Sequence, residues 1–173
     1  MAKDLAKQSL AAAKIIQAEA SQAWLPPQEG MKAHGAVVVP PSIVKNTRPY
    51  IERIANQVNG AYENGWYDAC AVMLRRLIET LIIECFESRG ISDRVKGANG
   101  DFLPMSDLVT KMLAETSWNL SRTTKLVLPK LKDLGHLSAH SRFYIACRDD
   151  MDKVQRDVRV VVQELIMHSG LIK

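Results

Sequence analysis

Large apolar side chains are concentrated in one stretch of the chain, Trp66–Ser88, where they recur three and four residues apart. On a helical wheel these positions cover about half of the circumference. A surface so broad must contact more than one neighbouring helix. The pattern therefore predicts that Trp66–Ser88 is the central helix and that it stops before Gly90. Its apolar positions are Trp66, Cys70, Met73, Leu74, Leu77, Ile78, Leu81, Ile82 and Cys85.

Four further segments repeat apolar residues at helical spacing, and no segment alternates apolar and polar residues as a strand would. Valine-rich stretches weaken the helical interpretation only slightly, because the propensity cost per residue is small. The pattern therefore predicts an all-α fold, a helical bundle of about five main helices. Besides Trp66–Ser88, these are a helix between Thr47 and Gly65, a short helix from Pro104 or Ser106 to about Glu115, Arg122–Leu137, and Arg148–Ser169.

Capping residues and prolines predict where two of these helices begin or bend. Thr47 suits an N-cap because its hydroxyl can accept a hydrogen bond from a free backbone N–H. Pro49 suits the first turn, where no N–H donor is needed. Pro129 lies inside the Arg122–Leu137 pattern. Because proline lacks an N–H and its ring clashes with the preceding turn, Pro129 should kink this helix or start a new one.

The first 41 residues differ in composition from the rest. Residues 3–24 are alanine-rich with a weak apolar stripe, which predicts a helix, and residues 25–41 are rich in proline and glycine, as linkers are. A helix with so few large apolar residues needs another surface to stabilise it. We therefore divide the chain into an N-terminal helical arm with a linker, 1–41, and a helical bundle, 42–173. The arm would dock on its own domain, on a second subunit or on a partner protein.

Composition and cysteine usage favour one folded domain in a reducing compartment. The 173 residues are 47% hydrophobic and 24% charged, which argues against disorder. The cysteines, Cys70, Cys85 and Cys147, have neither metal-ligand nor redox-motif spacing. Asp4 and Lys7 interrupt the N-terminus, so it does not resemble a signal peptide, and no apolar run approaches the ~20 residues that span a bilayer. We expect a cytoplasmic protein that does not enter the membrane.

The charge of the chain permits nucleic-acid binding without requiring it. The net charge is +4 and the pI is about 9.0. Basic residues cluster over 122–132 and over 153–159, but acidic neighbours such as Asp133 and Asp157 dilute both clusters. No aromatic residues are interleaved with them for stacking on single-stranded bases. An ordinary solvated surface is therefore the favoured interpretation of each cluster.

The segment Gly135–His140 contains the residues most suited to chemistry. His136 and His140 are four residues apart, a spacing that can bind zinc from one face of a helix. No glutamate follows His136 and no third ligand is evident, so we expect neither a metal nor a cofactor. Gly135 and Ser138 are small and would instead let this helix end approach another backbone closely.

A histidine in this segment could also serve as a general base that removes the 2′-hydroxyl proton of RNA. His140 would take that role, and a cation would then be needed to stabilise the charge that develops on the phosphate. Arg142 is near in sequence, and Arg75 and Arg76 could approach from the central helix. The alternative for these two arginines is a surface network with Glu79, in which each pair contributes only ~0.3–0.5 kcal/mol.

Two motifs resemble those of an uncharacterised bacterial family associated with restriction and defence proteins. This family is placed in the HEPN superfamily (higher eukaryotes and prokaryotes nucleotide-binding domains). The first motif is Gly65–Glu79 followed by Gly90, and the second is Leu131–His140, a leucine-glycine-polar stretch that ends in alanine-histidine. Their order, spacing and helical setting extend the resemblance over about residues 47–168.

The resemblance implies a helical bundle, commonly a homodimer, that works in a defence, toxin–antitoxin or restriction context. Catalytic HEPN proteins are metal-independent ribonucleases in which four to six residues separate an arginine from a histidine. His140 matches that histidine. The positions that would hold the arginine are Gly135, Leu134 and Asp133, and His136 stands where such proteins often have asparagine.

Three hypotheses for the function follow. The first is a non-catalytic HEPN-like module that dimerises and binds RNA, DNA, a nucleotide or a partner protein. The second is a metal-independent ribonuclease in which His140 is the catalytic base. The third is a purely structural adaptor whose polar motif only locks helices together. The candidate binding residues are Arg75, Arg76, Glu79, His136, Ser138 and Arg142.

Overall fold

The computed structural model describes residues 9–15 and 37–172, and this part of the chain is all-α, as predicted. Within it no strand forms, and Lys96 and Phe102 make an isolated β-bridge. None of its helices combines the length and the apolar character that crossing a bilayer requires. The main helices are α1 (Pro49–Glu63), α2 (Tyr67–Ser88), α3 (Met105–Ala114), α4 (Arg122–His140) and α5 (Arg148–Ser169); the single turns are the α-helical Pro41–Val44 and the 3-10 helical Ser92–Val95.

The helix α2 is the centre of the bundle, as its broad apolar surface predicts. It contacts α1, α3, α4 and α5. The observed span differs from the predicted one only at Trp66, which is the N-cap. Because neighbours cover several sides of α2, its buried positions are far more numerous than one helical stripe would give. They are Cys70, Ala71, Leu74, Leu77, Ile78, Leu81, Ile82, Glu84, Cys85 and Phe86.

The start of α1 differs from the prediction in its capping residue. The N-cap is Arg48, and Pro49 occupies the first turn as expected. Thr47 does not cap the helix, because its hydroxyl donates a hydrogen bond to the carbonyl of Val44 in the preceding turn. At the other end α1 stops before Gly65, whose φ of +75° lies in the left-handed region and turns the chain into α2.

Of the two outcomes predicted at Pro129, a kink or a new helix, the new helix does not occur, because α4 is continuous from Arg122 to His140. Proline removes one backbone hydrogen bond, but Val127, Leu128 and Leu131 around it are buried in the core. Their packing holds the helix on both sides of the proline. The helix also continues past its predicted end at Leu137, so the whole Gly135–His140 segment is helical.

The residues just before the bundle pack against two of its helices. Val38 and Val39 are fully buried. The side-chain amide of Asn59 in α1 pairs with the backbone of Val39: its Oδ1 accepts from the N–H at 2.9 Å and its Nδ2 donates to the carbonyl at 2.7 Å. Gln155 of α5 donates to the carbonyl of Val37 at 2.6 Å. Residues 37–39, which composition assigns to the linker, are therefore fastened to α1 and α5.

Most of the predicted N-terminal arm lies outside the described residues. Of the predicted helix over 3–24, residues 9–15 are described, and they are helical with exposed side chains. The rest of the arm and the linker up to residue 36 lie outside the described part of the chain. The docking of the arm on its own domain, a second subunit or a partner protein stays a prediction.

Candidate functional site

The helix α4 lies against α2 at Gly135, which is buried. A Cβ added to this glycine would lie 2.5 Å from the Cβ of Arg75 and 3.1 Å from the carbonyl oxygen of Ala71. Both atoms are fixed by the α2 backbone, so a side chain at residue 135 would have to push the helices apart. The predicted close approach of this segment is confirmed, and it sets Arg75 against the last turns of α4.

A cavity of about 340 Å³ opens beside this contact, between α2, the start of α3 and the last turns of α4. We refer to it as the histidine cavity. It brings together two imidazoles, a guanidinium and an ammonium group from sequence positions as distant as Arg75 and His140. Its lining residues are Arg75, Pro104, Met105, Ser106, Lys132, Asp133, His136 and His140.

The two histidines stand one turn apart on the same face of α4. Their ring centroids are 4.9 Å apart and their planes are inclined by 50°. The four-residue spacing in a helix produces this arrangement. Both His136 and His140 are exposed. A ligand in the histidine cavity can therefore reach both rings without displacing protein atoms.

Arg75 carries a buried polar atom that no described residue satisfies. Its Nε is buried and has no hydrogen-bond partner among the described residues. The alternative prediction, a surface network with Glu79, is not observed: over the same residues no ion pair joins Arg75 or Arg76 to Glu79. A buried donor without an acceptor costs about 1–3 kcal/mol.

The charges around the cavity favour an anion of modest charge. Arg75 and Lys132 supply two positive groups, and Asp133 offsets one of them through a 2.7 Å contact between its Oδ1 and Lys132 Nζ. The lining also includes Pro104, Met105 and Ser106 at the start of α3. The first N–H groups of a helix lack intrahelical acceptors, so this end of α3 adds to the attraction for an anion.

The structure separates the predicted site residues into two groups. Three of them line the histidine cavity: Arg75, His136 and His140. Four do not: Arg76, Glu79, Ser138 and Arg142. Ser138 has a buried Oγ that lacks a partner within the described chain, and Arg142 places its guanidinium 5.6 Å from the centroid of the Phe143 ring.

Among the residues that line the cavity, the start of α3 was not identified from the sequence as part of the site. Lys132 and Asp133 lie within the second motif, and Lys132 is one turn before His136 on the same face of α4, but neither was named as a binding residue. Pro104–Ser106 were visible only as a helix start, and the packing of α3 and α4 on α2, which no local spacing encodes, brings them to the site.

The described residues supply no third metal ligand to the histidine pair. Within residues 9–15 and 37–172, no three histidine, cysteine, aspartate or glutamate side chains group as metal ligands would. Two imidazoles alone fall short of the four-coordinate site that zinc prefers. The cavity is therefore better suited to an anion that accepts hydrogen bonds than to a cation.

The chain matches no protein-family model, and neither a curated protein nor a solved structure is significantly similar to it. The residues of the site are therefore the basis on which a function can be assigned.

Proposed function

We propose that this chain is a nucleic-acid-binding module that holds a backbone phosphate in the histidine cavity. The observation that carries the proposal is the convergence of Arg75, Lys132, His136 and His140 on one cavity. Guanidinium, ammonium and imidazole groups all donate hydrogen bonds to phosphate oxygens, and a charge-assisted bond is roughly twice as strong as a neutral one.

A polyanion suits this protein better than a small free anion. The net charge of +4 attracts a phosphate backbone over a longer range than the cavity alone can reach. The resemblance to the HEPN superfamily supports RNA as the nucleic acid. In this proposal the protein is a HEPN-like module that works as a homodimer in a bacterial defence or toxin–antitoxin context.

Cleavage of RNA is the second candidate function, and the histidine pair is the observation that favours it. His136 and His140 both face the cavity that Arg75 enters. One imidazole could take the proton of the 2′-hydroxyl while the other protonates the leaving oxygen, and Arg75 could stabilise the phosphorane. In catalytic HEPN proteins an arginine of the second motif supplies this positive charge. Gly135 stands at one such position here, so Arg75 would supply the charge instead.

Adjacent arginines allow a matched test of binding. Arg75 lines the histidine cavity and Arg76 does not, although both are on α2. Arg75→Met keeps most of the apolar stem, removes the guanidinium, and should weaken binding of a fluorescent RNA oligonucleotide roughly 10- to 100-fold. Arg76→Met makes the same change of charge and should have little effect. Equal losses in the two variants would mean that the cavity is not the site.

Cleavage is tested with the same protein on total RNA, followed by gel electrophoresis. The binding proposal expects intact RNA with the wild-type chain and salt-dependent retention of the RNA. Degradation by the wild type that disappears in both His136→Ala and His140→Ala would establish the ribonuclease instead. Degradation that survives both substitutions would come from a contaminant.

A further inference from the structure

We propose that the histidine cavity is the middle of a path for single-stranded nucleic acid, with Phe102 and Phe143 as base-stacking platforms on either side of the phosphate. This inference rests on the proposed function and specifies its ligand. Two exposed phenyl rings, distant in sequence, are each connected to the cavity by a few residues. A cationic side chain also lies near each ring and would be close to a base stacked on that ring.

Phe102 lies just before the start of α3. The residue is 39% exposed, and the Nζ of Lys96 lies 5.4 Å from the ring centroid. An isolated β-bridge between the two residues, with a 2.9 Å hydrogen bond from the N–H of Leu103 to the carbonyl of Val95, holds this loop in place. Pro104, which lines the histidine cavity, follows two residues later.

A second cavity, of about 520 Å³, extends the surface on this side. Its lining combines cations with carboxylates: Asp93, Arg94, Lys96, Leu103, Asp107, Thr110 and Lys111. Leu103 and Asp107 line this cavity and Pro104–Ser106 line the histidine cavity, so the start of α3 lies between the two. A strand that leaves the histidine cavity over the start of α3 would reach Lys96 and Lys111, whose attraction the two carboxylates reduce.

Phe143 follows the C-terminal end of α4, where His140 lines the histidine cavity. The residue is 88% exposed, and the guanidinium carbon of Arg142 lies 5.6 Å from the ring centroid. The Ser141 hydroxyl accepts hydrogen bonds from the backbone N–H groups of Phe143 at 3.3 Å and Tyr144 at 3.1 Å, which fixes the turn. Phe143 lies three positions after His140, so their Cα atoms are no more than about 11 Å apart.

Stacking on these rings requires bases that are free. In a duplex the bases are stacked on one another and only the backbone and groove edges are accessible, whereas unpaired bases can lie on aromatic side chains. A phosphate held by Arg75 and Lys132, with aromatic rings on both sides, therefore fits a single strand better than a duplex or a mononucleotide. The basic segments alone did not reveal this, because neither ring lies within them.

The test compares ligands and ring substitutions in the full chain. Fluorescence anisotropy would measure the affinity for a labelled single-stranded RNA, the same RNA annealed to its complement, and AMP as a competitor. We expect the single strand to bind at least about tenfold more tightly than the other two. Phe102→Leu and Phe143→Leu retain apolar surface without the ring, and each should weaken single-strand binding about tenfold. Phe143→Trp keeps an aromatic face and should bind the single strand as the wild type does.

A neighbouring apolar residue provides the control. Ile145 is 79% exposed beside Phe143 but has no aromatic face. Ile145→Ala should therefore leave the affinity for RNA unchanged. A different result, in which Phe143→Leu and Ile145→Ala both dissociate a dimer in sedimentation experiments and neither changes RNA affinity, would assign this surface to a protein contact and overturn the inference.

The two proposals fail in distinguishable ways. If Arg75→Met weakens RNA binding but both leucine variants bind as the wild type does, the phosphate site stands and the stacking path is wrong. Tighter binding of the duplex than of the single strand would likewise show that the stacking path is wrong while the phosphate site stands. If the wild-type chain binds none of the three ligands, both proposals are wrong.

Discussion

Gly135 controls how the candidate site is assembled, because it is the residue through which α4 meets α2. The atoms that a Cβ would strike are the Cβ of Arg75 and the carbonyl oxygen of Ala71. Neither is the end of a flexible side chain, so the contact cannot relax without moving a helix. The same glycine therefore permits the packing of the bundle and the placement of Arg75 in the histidine cavity.

Substitution of this glycine should lower both stability and binding. Gly135→Ala improves helix propensity by about 1 kcal/mol, yet overpacking typically costs 1–3 kcal/mol, and the clash here involves backbone. We expect a net loss of about 1–2 kcal/mol in the free energy of unfolding, together with weaker RNA binding. Urea denaturation and anisotropy would measure the two effects. A more stable variant would show that α2 and α4 are not in close contact at this position.

At the scale of elements, Glu164 of α5 fastens the start of α4. Its carboxylate accepts hydrogen bonds from the Ser121 N–H at 2.5 Å, from the Ser121 hydroxyl at 2.7 Å and from the Thr124 hydroxyl. Ser121 is the N-cap of α4, so the carboxylate satisfies donors that the helix itself leaves free. Burial acts to raise the pKa of Glu164, but the hydrogen bonds from Thr124 and Ser121 outweigh it and the pKa is lowered.

The lowered pKa determines how this contact depends on pH. Folding then favours the ionised carboxylate, so its contribution is present above the ordinary glutamate pKa of 4.5 and is lost as the pH falls through the lower folded-state value. Glu164→Ala should cost about 2–3 kcal/mol at pH 7, because it leaves the buried Thr124 hydroxyl without its acceptor. In urea titrations the difference from the wild type should shrink in strong acid. The control is Gln163→Ala at the exposed neighbouring position, which should cost little at either pH. If the stability difference between Glu164→Ala and the wild type did not change with pH, the pKa of Glu164 would not be lowered by folding.

At the scale of the whole molecule, the sequence predicted best the elements whose burial is continuous. The predicted span Trp66–Ser88 is in error only at Trp66, and Arg148–Ser169 matches at both ends. Apolar spacing was less informative where a single contact decides the outcome. The hydroxyl of Thr47 could cap the next helix or bind the preceding turn, and it binds the turn. The helix α4 continues past Pro129 because the residues around the proline are packed in the core.

The candidate site was predictable only in the residues that lie on one helix or in one motif. His136 and His140 face one cavity because of their helical spacing, and Arg75 is one of the two central-helix arginines that were expected to approach them. Lys132 lies four residues before His136 and was assignable from the same spacing, although it was not named as a binding residue. The start of α3 could not be assigned, because its proximity depends on how three helices pack. Phe102 and Phe143 were not selected from the sequence either, because their exposure is evident only in the folded chain.

Asn59 tests whether the residues before the bundle belong to its cooperative unit. Its side chain satisfies both backbone groups of the buried Val39. Asn59→Ala should lower the free energy of unfolding by about 2–4 kcal/mol, since it leaves a buried N–H and a buried carbonyl unpaired. Asn56→Ala, on the same helix, is the control and should cost far less. If Asn59→Ala instead speeds hydrogen exchange only at the Val39 amide and leaves global unfolding unchanged, residues 37–39 unfold independently of the bundle. A domain boundary near residue 41 would then be correct.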